Sequence, residues 1–357
     1  MDKNQSMQDA SFSACSLQAD FQYGFFTVTY SLVFILGLPG NICALYFLSR
    51  RKQRSRSSNV YFVNLSSVDF VFICLLPFRI YYHNTGNNWV LGDIACRIMG
   101  TLFYANIYLS IGFFTCICLD RYLAVVHPLI YLRLKSSFFP LLLTIIIWVV
   151  CSAIVLPLIL GGPLDNVSEN STRTSCFENF SPTLWQHRLV TYNVCALIFG
   201  FLLPFTVIGV VFPVMARKVC RIKSSIHRKV AMRIIVFVFV ISLFCFLPYH
   251  ITHLLHFLMR MNIIRTCAAS QSIYKLRRIT LALVSLNSCL NPILYLIPYL
   301  SRGVYLPTLP FARKEYVIND VPVKQNTPSV VTSTTCLPNH KQSSSIILDA
   351  KVEWSVL

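Results

Sequence analysis

The 357-residue chain is poor in acid: it has 13 Asp and Glu against 31 Lys and Arg, and charged residues make up only 12% of it. Five apolar runs, 24–49, 98–119, 137–160, 189–216 and 279–300, contain no Asp, Glu, Lys or Arg at all. A soluble domain, with roughly a quarter of its residues charged, is excluded by that shortage. Metal-ligand spacings, a phosphate-binding glycine loop and a nucleophile–base pair are also missing, so the sequence indicates neither an enzyme nor a metal centre. Residues 1–23 carry Asp2, Asp9 and Asp20 and lack the apolar core of a cleavable signal peptide. The first run is therefore expected to act as its own insertion signal.

Apolar length dominates what is present. The chain is 55% hydrophobic with a mean hydropathy of +0.61. Two further runs, 59–82 and 230–257, bring the total to seven. Each is long enough to cross a bilayer as a helix, which takes about 20 apolar residues. Backbone polar groups cannot stay unpaired in lipid, so the runs are expected to be helices. The expected fold is an all-α membrane protein, a seven-transmembrane helix bundle. The net charge of +18 raises the question of nucleic acid, but the cations sit in alternate loops. Arg50, Arg51, Lys52, Arg54 and Arg56 follow run one. Arg121, Arg133 and Lys135 follow run three, and Arg217, Lys218, Arg221, Lys223, Arg228 and Lys229 follow run five. By the positive-inside rule these loops are cytoplasmic, which places the N-terminus outside and the C-terminus inside, and nucleic acid is not an expected partner. The expected division is an extracellular segment 1–23, a membrane domain 24–300 and a disordered cytoplasmic tail 301–357.

Asn4, Asn166 and Asn170 head glycosylation sequons on the expected outer side. Of the 14 cysteines, Cys15, Cys96, Cys176 and Cys267 fall at that oxidising face. Four cysteines allow three pairings. Topology favours Cys96–Cys176, tying the top of span three to the loop before span five, with Cys15–Cys267 as the complement; free thiols are the alternative.

Inside the runs, Asp69 is an acid at mid-membrane depth, where an ionisable group is costly and marks function. Asn41, Ser110, Asn287 and Asn291 lie at compatible depths. Together they suggest a polar cluster holding water or a hydrated sodium ion, or else a purely structural network. Asp120-Arg121-Tyr122 ends run three, where the carboxylate can hold the guanidinium until a partner claims it. Asn291-Pro-Ile-Leu-Tyr295 closes run seven. Pro77, Pro157, Pro204 and Pro248 are expected to kink spans two, four, five and six.

These residues resemble the rhodopsin-like (class A) G-protein-coupled receptors. The resemblance rests on Gly40-Asn41, Leu65-x-x-x-Asp69, Cys96, Asp120-Arg121-Tyr122, Trp148, Cys176, Pro204, Cys245-Phe246-Leu247-Pro248 and Asn291-Pro292-x-x-Tyr295, which occur in order over roughly residues 20–300. Phe244-Cys245-Phe246-Leu247-Pro248-Tyr249-His250, Asn88-Trp89-Val90-Leu91-Gly92-Asp93 and Leu76-Pro77-Phe78-Arg79 are similar to the purinergic, cysteinyl-leukotriene and lysophospholipid branch. The resemblance implies a multi-pass plasma-membrane receptor coupled to heterotrimeric G proteins and arrestin, with Asp120, Arg121, Tyr122 and Tyr295 as its G-protein switch. The chain departs from the family at Phe212 and Ser242, where a Tyr and another aromatic are usual. It also has His253 and Leu281 where the nucleotide receptors carry cations.

The upper bundle is cationic and aromatic. Arg79, Tyr82, Tyr104, Tyr108, Tyr249, His250, His253 and Arg278 are the candidate ligand-binding residues. Guanidinium groups suit a phosphate or carboxylate, and aromatic walls suit an apolar portion. Lys275, Arg277 and Arg278 have a competing role as cations that snorkel to headgroups. The expected agonist is an extracellular anionic lipid, a lysophospholipid or leukotriene; the alternatives are a nucleotide and, from the outer histidines, a proton. In the tail, Thr332–Thr335 and Ser343–Ser345 suit phosphorylation and arrestin, and Ser355-Val356-Leu357 suits a PDZ scaffold.

Overall fold

The computed structural model describes residues 19–50, 56–135, 138–161, 165–167, 174–178, 185, 189–221 and 226–300. Among them, seven helical spans form one bundle. Span one is α1 (Gln22–Arg50), span two α2 (Arg56–Asn84) and span three α3 (Gly92–Val126), followed by the short helix α4 (Pro128–Lys135). Span four is α5 (Phe139–Leu160). Span five runs through α6 (Val190–Leu197), a π turn (Ile198–Leu202) and α7 (Leu203–Arg221). Span six runs through α8 (Ile226–Ile241), a π turn (Ser242–Phe246) and α9 (Leu247–Arg260). Span seven is built from α10 (Cys267–Ser285), α11 (Asn287–Leu290) and α12 (Pro292–Leu300). Between spans four and five, β1 (Asp165–Val167) pairs antiparallel with β2 (Thr174–Cys176), Asp165 opposite Cys176.

Six of these spans are helices long and apolar enough to cross a membrane. The seventh carries Lys275, Arg277 and Arg278 and is interrupted at Leu286 and Asn291. Spans three and seven begin earlier than their apolar runs, at Gly92 and Cys267 instead of 98 and 279. An apolar run marks only the part of a helix that meets hydrocarbon. The helix itself continues through polar turns, because its backbone bonds are internal wherever the side chains point.

The bundle is apolar outside and partly polar inside. Leu141, Leu142, Ile145, Ile146 and Val149 of span four are exposed, whereas Asn41, Asp69, Asn287 and Asn291 are wholly buried. Lipid is as apolar as Leu, so such helices are held by packing and by buried polar ties. Span three is the pillar; it packs against spans two, four, five and six. Phe113, Phe114 and Ile111 on it are fully buried.

Prolines act unequally. Each π turn ends just before a proline, at Pro204 and Pro248. A proline has no N–H for the carbonyl four residues back, and the widened turn accommodates the missing bond. Helices α2 and α5, by contrast, run through Pro77 and Pro157 without a change of helix type. Cys96 and Cys176 form a disulfide with Cα atoms 5.6 Å apart, tying the first turn of span three to β2. Cys267 is also disulfide-bonded. Cys15, Asn4, Asn170 and the tail beyond 300 lie outside the described residues, and Asn166 falls in β1.

Candidate ligand cavity and switch sites

The bundle end that carries the disulfide opens into a cavity of about 880 Å³, counting the open space at its mouth. Its walls are aromatic, from Tyr104, Phe177, Trp185, Tyr192 and Tyr274, with Leu189, Met259 and Leu281 adding apolar surface. Arg260, Arg277 and Arg278 also line it, as do His253, His256 and a single acid, Glu178. Of the three basic residues at the start of span seven, Lys275 faces out, while Arg277 and Arg278 turn inward and are partly buried. Arg277 Nη1 lies 2.9 Å from His256 Nδ1. Arg260 places its guanidinium carbon 4.8 Å over the Trp185 ring. Arg278 Nη1 donates to Glu178 Oε1 at 2.8 Å, and its Nη2 donates to the Tyr274 hydroxyl at 2.6 Å.

The expected ligand residues do not all share that cavity. Tyr104, His253 and Arg278 line it. Tyr108, Tyr249 and His250 are packed against one another and against Phe201, whose ring stacks on His250 at 5.2 Å. Gly200, in the first π turn, permits this packing: a Cβ there would lie 2.3 Å from Tyr108 Cδ1. Arg79 and Tyr82 belong to the span-two wall. The Tyr82 hydroxyl accepts from the Cys176 amide at 3.2 Å, so it serves the loop. Arg79 is 8% exposed, sits 4.8 Å over the Phe103 ring, and its Nε has no hydrogen-bond partner among the described residues. A buried guanidinium N–H without a partner is costly and so draws an acceptor to it.

Phe177 and Glu178, which follow the disulfide directly, were not among the expected ligand residues. Phe177 holds a left-handed backbone, φ 60°, and its ring lies against Gly100 and 5.4 Å from Tyr104. Glu178 is wrapped in positive and polar groups. Burial pushes its carboxyl up, but Arg278, His83 and Arg79 more than offset this and hold it below the ordinary carboxylate range. The one signal available was an acid two residues after a candidate disulfide cysteine in a chain with few acids.

At mid-bundle, Asp69 accepts three hydrogen bonds: from Ser288 Oγ at 2.7 Å, Asn291 Nδ2 at 2.6 Å and Asn106 Nδ2 at 3.1 Å. Asn41 joins through the Ser288 carbonyl at 2.8 Å, and Asn287 Oδ1 accepts from Asn291 at 3.1 Å. Asn106 and Ser288 were not anticipated. Asn106 is one turn before Ser110 on the same face of span three, and Ser288 adjoins Asn287. The Ser110 hydroxyl is buried without a hydrogen-bond partner among the described residues, as are Asn41 Oδ1, Asn106 Oδ1 and Asn291 Oδ1. One carboxylate and several spare oxygens form the kind of donor set that suits a small, hard cation.

At the opposite end, Arg121 donates to Asp120 Oδ2 from Nη2 at 2.6 Å and from Nε at 3.0 Å, and both residues are buried. Tyr122 OH lies 3.3 Å from His127 Nε2. Tyr295 packs edge-on against Phe62 and donates to its carbonyl at 3.4 Å. Phe212 stacks on Phe239 at 4.1 Å, an apolar contact between spans five and six.

A seven-span bundle, a disulfide-tied strand over a cavity at one end, and an arginine held by its neighbouring acid at the other are the features of the class of seven-span receptors. The sequence agrees. It matches the family model described as "7 transmembrane receptor (rhodopsin family)" over residues 40–295. It is 32% identical over 287 residues to lysophosphatidic acid receptor 6 of Gallus gallus, covering 79% of this chain and 92% of that one. Human cysteinyl leukotriene receptor 2 is 34% identical over 303 residues, covering 83% and 84%. The human uracil nucleotide/cysteinyl leukotriene receptor is 34% identical over 289 residues, covering 80% and 76%. The chain belongs to the rhodopsin-like family of seven-transmembrane receptors: it is a multi-pass plasma-membrane receptor that signals through a G protein, not an enzyme.

Proposed function

We propose that the receptor responds to an extracellular anionic lipid, a lysophospholipid or leukotriene, bound head-first among Arg260, Arg277 and Arg278. In this reading the disulfide end faces outside. The observation that carries it is the make-up of the cavity: three guanidinium groups within one apolar, aromatic enclosure. A charged head and a hydrocarbon portion are both satisfied there, and two of the relatives above are named for lipids of this kind. A nucleotide is the second reading, favoured by the third relative's name. It is weakened by His253 and Leu281, which line the cavity where nucleotide receptors carry cations, and by Glu178, which neutralises part of the positive charge. The test is Arg277→Ala at matched surface expression. Loss of one charge-assisted contact, worth about 1.5–3 kcal/mol, should weaken agonist potency roughly ten- to 150-fold. An unchanged concentration–response curve would remove Arg277 from the site.

The Asp69 cluster is proposed to take a sodium ion, and Asp120, Arg121, Tyr122 and Tyr295 to form the G-protein switch. The Asp120–Arg121 pair corresponds to its closed state. Arrestin on a phosphorylated Thr332–Thr335 cluster, and a PDZ domain on Ser355-Val356-Leu357, complete the proposal.

A further inference from the structure

We propose that the carboxylate of Glu178 occupies an anion subsite in its own receptor, and that the agonist's anionic group must displace it from Arg278. The inference rests on the receptor reading above and refines where the ligand's charge goes. Glu178 Oε1 accepts from Arg278 at 2.8 Å, and Oε2 accepts from Asn87 Nδ2 at 3.3 Å. Asn87 Oδ1 lies 2.8 Å from His83 Nδ1, so the amide bridges the carboxylate to span two. Tyr274 steadies the guanidinium from behind: its hydroxyl accepts from Arg278 Nη2, and its ring lies 4.7 Å below Arg278 Cζ. The pair is largely shielded, with side-chain exposures of 12% for Arg278 and 10% for Glu178.

Three features make this a filled subsite and not a surface ion pair. The donors converge from separate elements: Arg278 from span seven, and Asn87 from the turn that follows span two. Glu178 lies on the cavity wall with Arg278, where a ligand head can reach both. Finally, the acid is presented by a constrained segment. Cys176 is fixed by the disulfide, and Phe177 is held in a left-handed backbone against Gly100. The strand loop is thereby tied to span seven as long as Glu178 stays in place. A phosphate or carboxylate that enters the subsite breaks the tie and bridges the freed guanidinium itself. The ligand's binding energy is in this way converted into release of span seven, the span that supplies Ser288 and Asn291 to the Asp69 cluster and carries Tyr295 toward the other end. A neutral ligand could fill the apolar cavity without gaining from the exchange.

The test uses the full receptor in membranes and reads two quantities for Glu178→Gln at matched surface expression. The first is ligand-free nucleotide exchange on G proteins. Without the tie it should rise above wild type. The second is potency toward lysophosphatidic acid and a cysteinyl leukotriene. Removal of the internal competitor should shift the curve of whichever lipid activates wild type leftward by about tenfold. Asn87→Gly keeps the left-handed turn, removes the Asn87 contact to the carboxylate and should give the same changes at smaller size, so the idea stays testable if Glu178→Gln folds poorly. Basal exchange that is unchanged or lower in these variants overturns the proposal, as does a rightward shift, which would make Glu178 a ligand contact. If neither lipid activates wild type, the lipid reading fails on its own, and basal exchange still decides the role of Glu178.

Discussion

Gly100 offers a direct check on how the disulfide-tied loop is seated. A Cβ at this position would lie 2.1 Å from Phe177 Cδ2, 2.4 Å from Cγ and 2.8 Å from Cε2. Ordinary contact begins near 3.4 Å, so in Gly100→Ala the ring must retreat by 3.4 − 2.1, about 1.3 Å. It cannot do so freely, since Cys176 is pinned to Cys96 and Phe177 is already in the left-handed region. Overpacking of this kind costs about 1–3 kcal/mol, offset by up to about 1 kcal/mol from replacing a helical glycine with alanine. Because Phe177 adjoins Glu178, its retreat should also loosen the Arg278 pair. Gly209→Ala serves as the control: it lies in span five, and nothing comes within 4 Å of its added Cβ. In detergent-solubilised receptor, Gly100→Ala should melt below wild type and raise ligand-free exchange, while Gly209→Ala should melt at or above wild type. Equal melting temperatures and equal basal exchange in the two variants would refute this seating of the loop.

Other outcomes follow from the same geometry. Asp120→Asn removes the negative charge from a buried ion pair, a loss that typically costs about 3–5 kcal/mol, and should raise basal exchange; lower or unchanged exchange on normal expression would count against the closed-switch reading. Replacing sodium in the buffer with a bulky organic cation should change agonist affinity in wild type and leave Asp69→Asn unaffected; equal sodium dependence in both would place the ion elsewhere. The Glu178 carboxyl, faced by Arg278 of span seven and by His83 and Arg79 of span two, is held below its ordinary range. Its contribution is present above the ordinary carboxylate pKa and is lost only as pH falls through the lowered value. An extracellular step from about pH 7.4 to about pH 6 should therefore leave the pair closed, and activation by such a step that disappears in Glu178→Gln would contradict the assignment.

Most of the fold was legible because membrane spans obey one constraint, internal hydrogen bonding over an apolar length. The bounds of spans three and seven were not, since their ends run through polar residues that hydropathy does not register. Asp69 was legible as an acid where acids are expensive. Its partners were legible only in part: an apolar run fixes depth only to about a turn, so Asn106 bonds it and Ser110, one turn further on the same face, does not; nor does depth give azimuth, so Ser288 bonds it in place of its neighbour Asn287. Arg278 was readable as a cation near the outer end, and its partner was not. Glu178 comes from a loop whose path is set by the disulfide and by Phe177, and no periodicity in the sequence encodes that path. The inward turn of Arg277 was likewise hidden, because a snorkelling cation and a cavity cation look the same in a sequence.

Nucleotide exchange on G proteins in membranes carrying the wild-type receptor, measured with lysophosphatidic acid, a cysteinyl leukotriene and a uracil nucleotide in parallel, separates a lipid receptor from a nucleotide receptor. Saturable activation by at least one of the lipids and none by the nucleotide is expected. Activation by the nucleotide alone would contradict it.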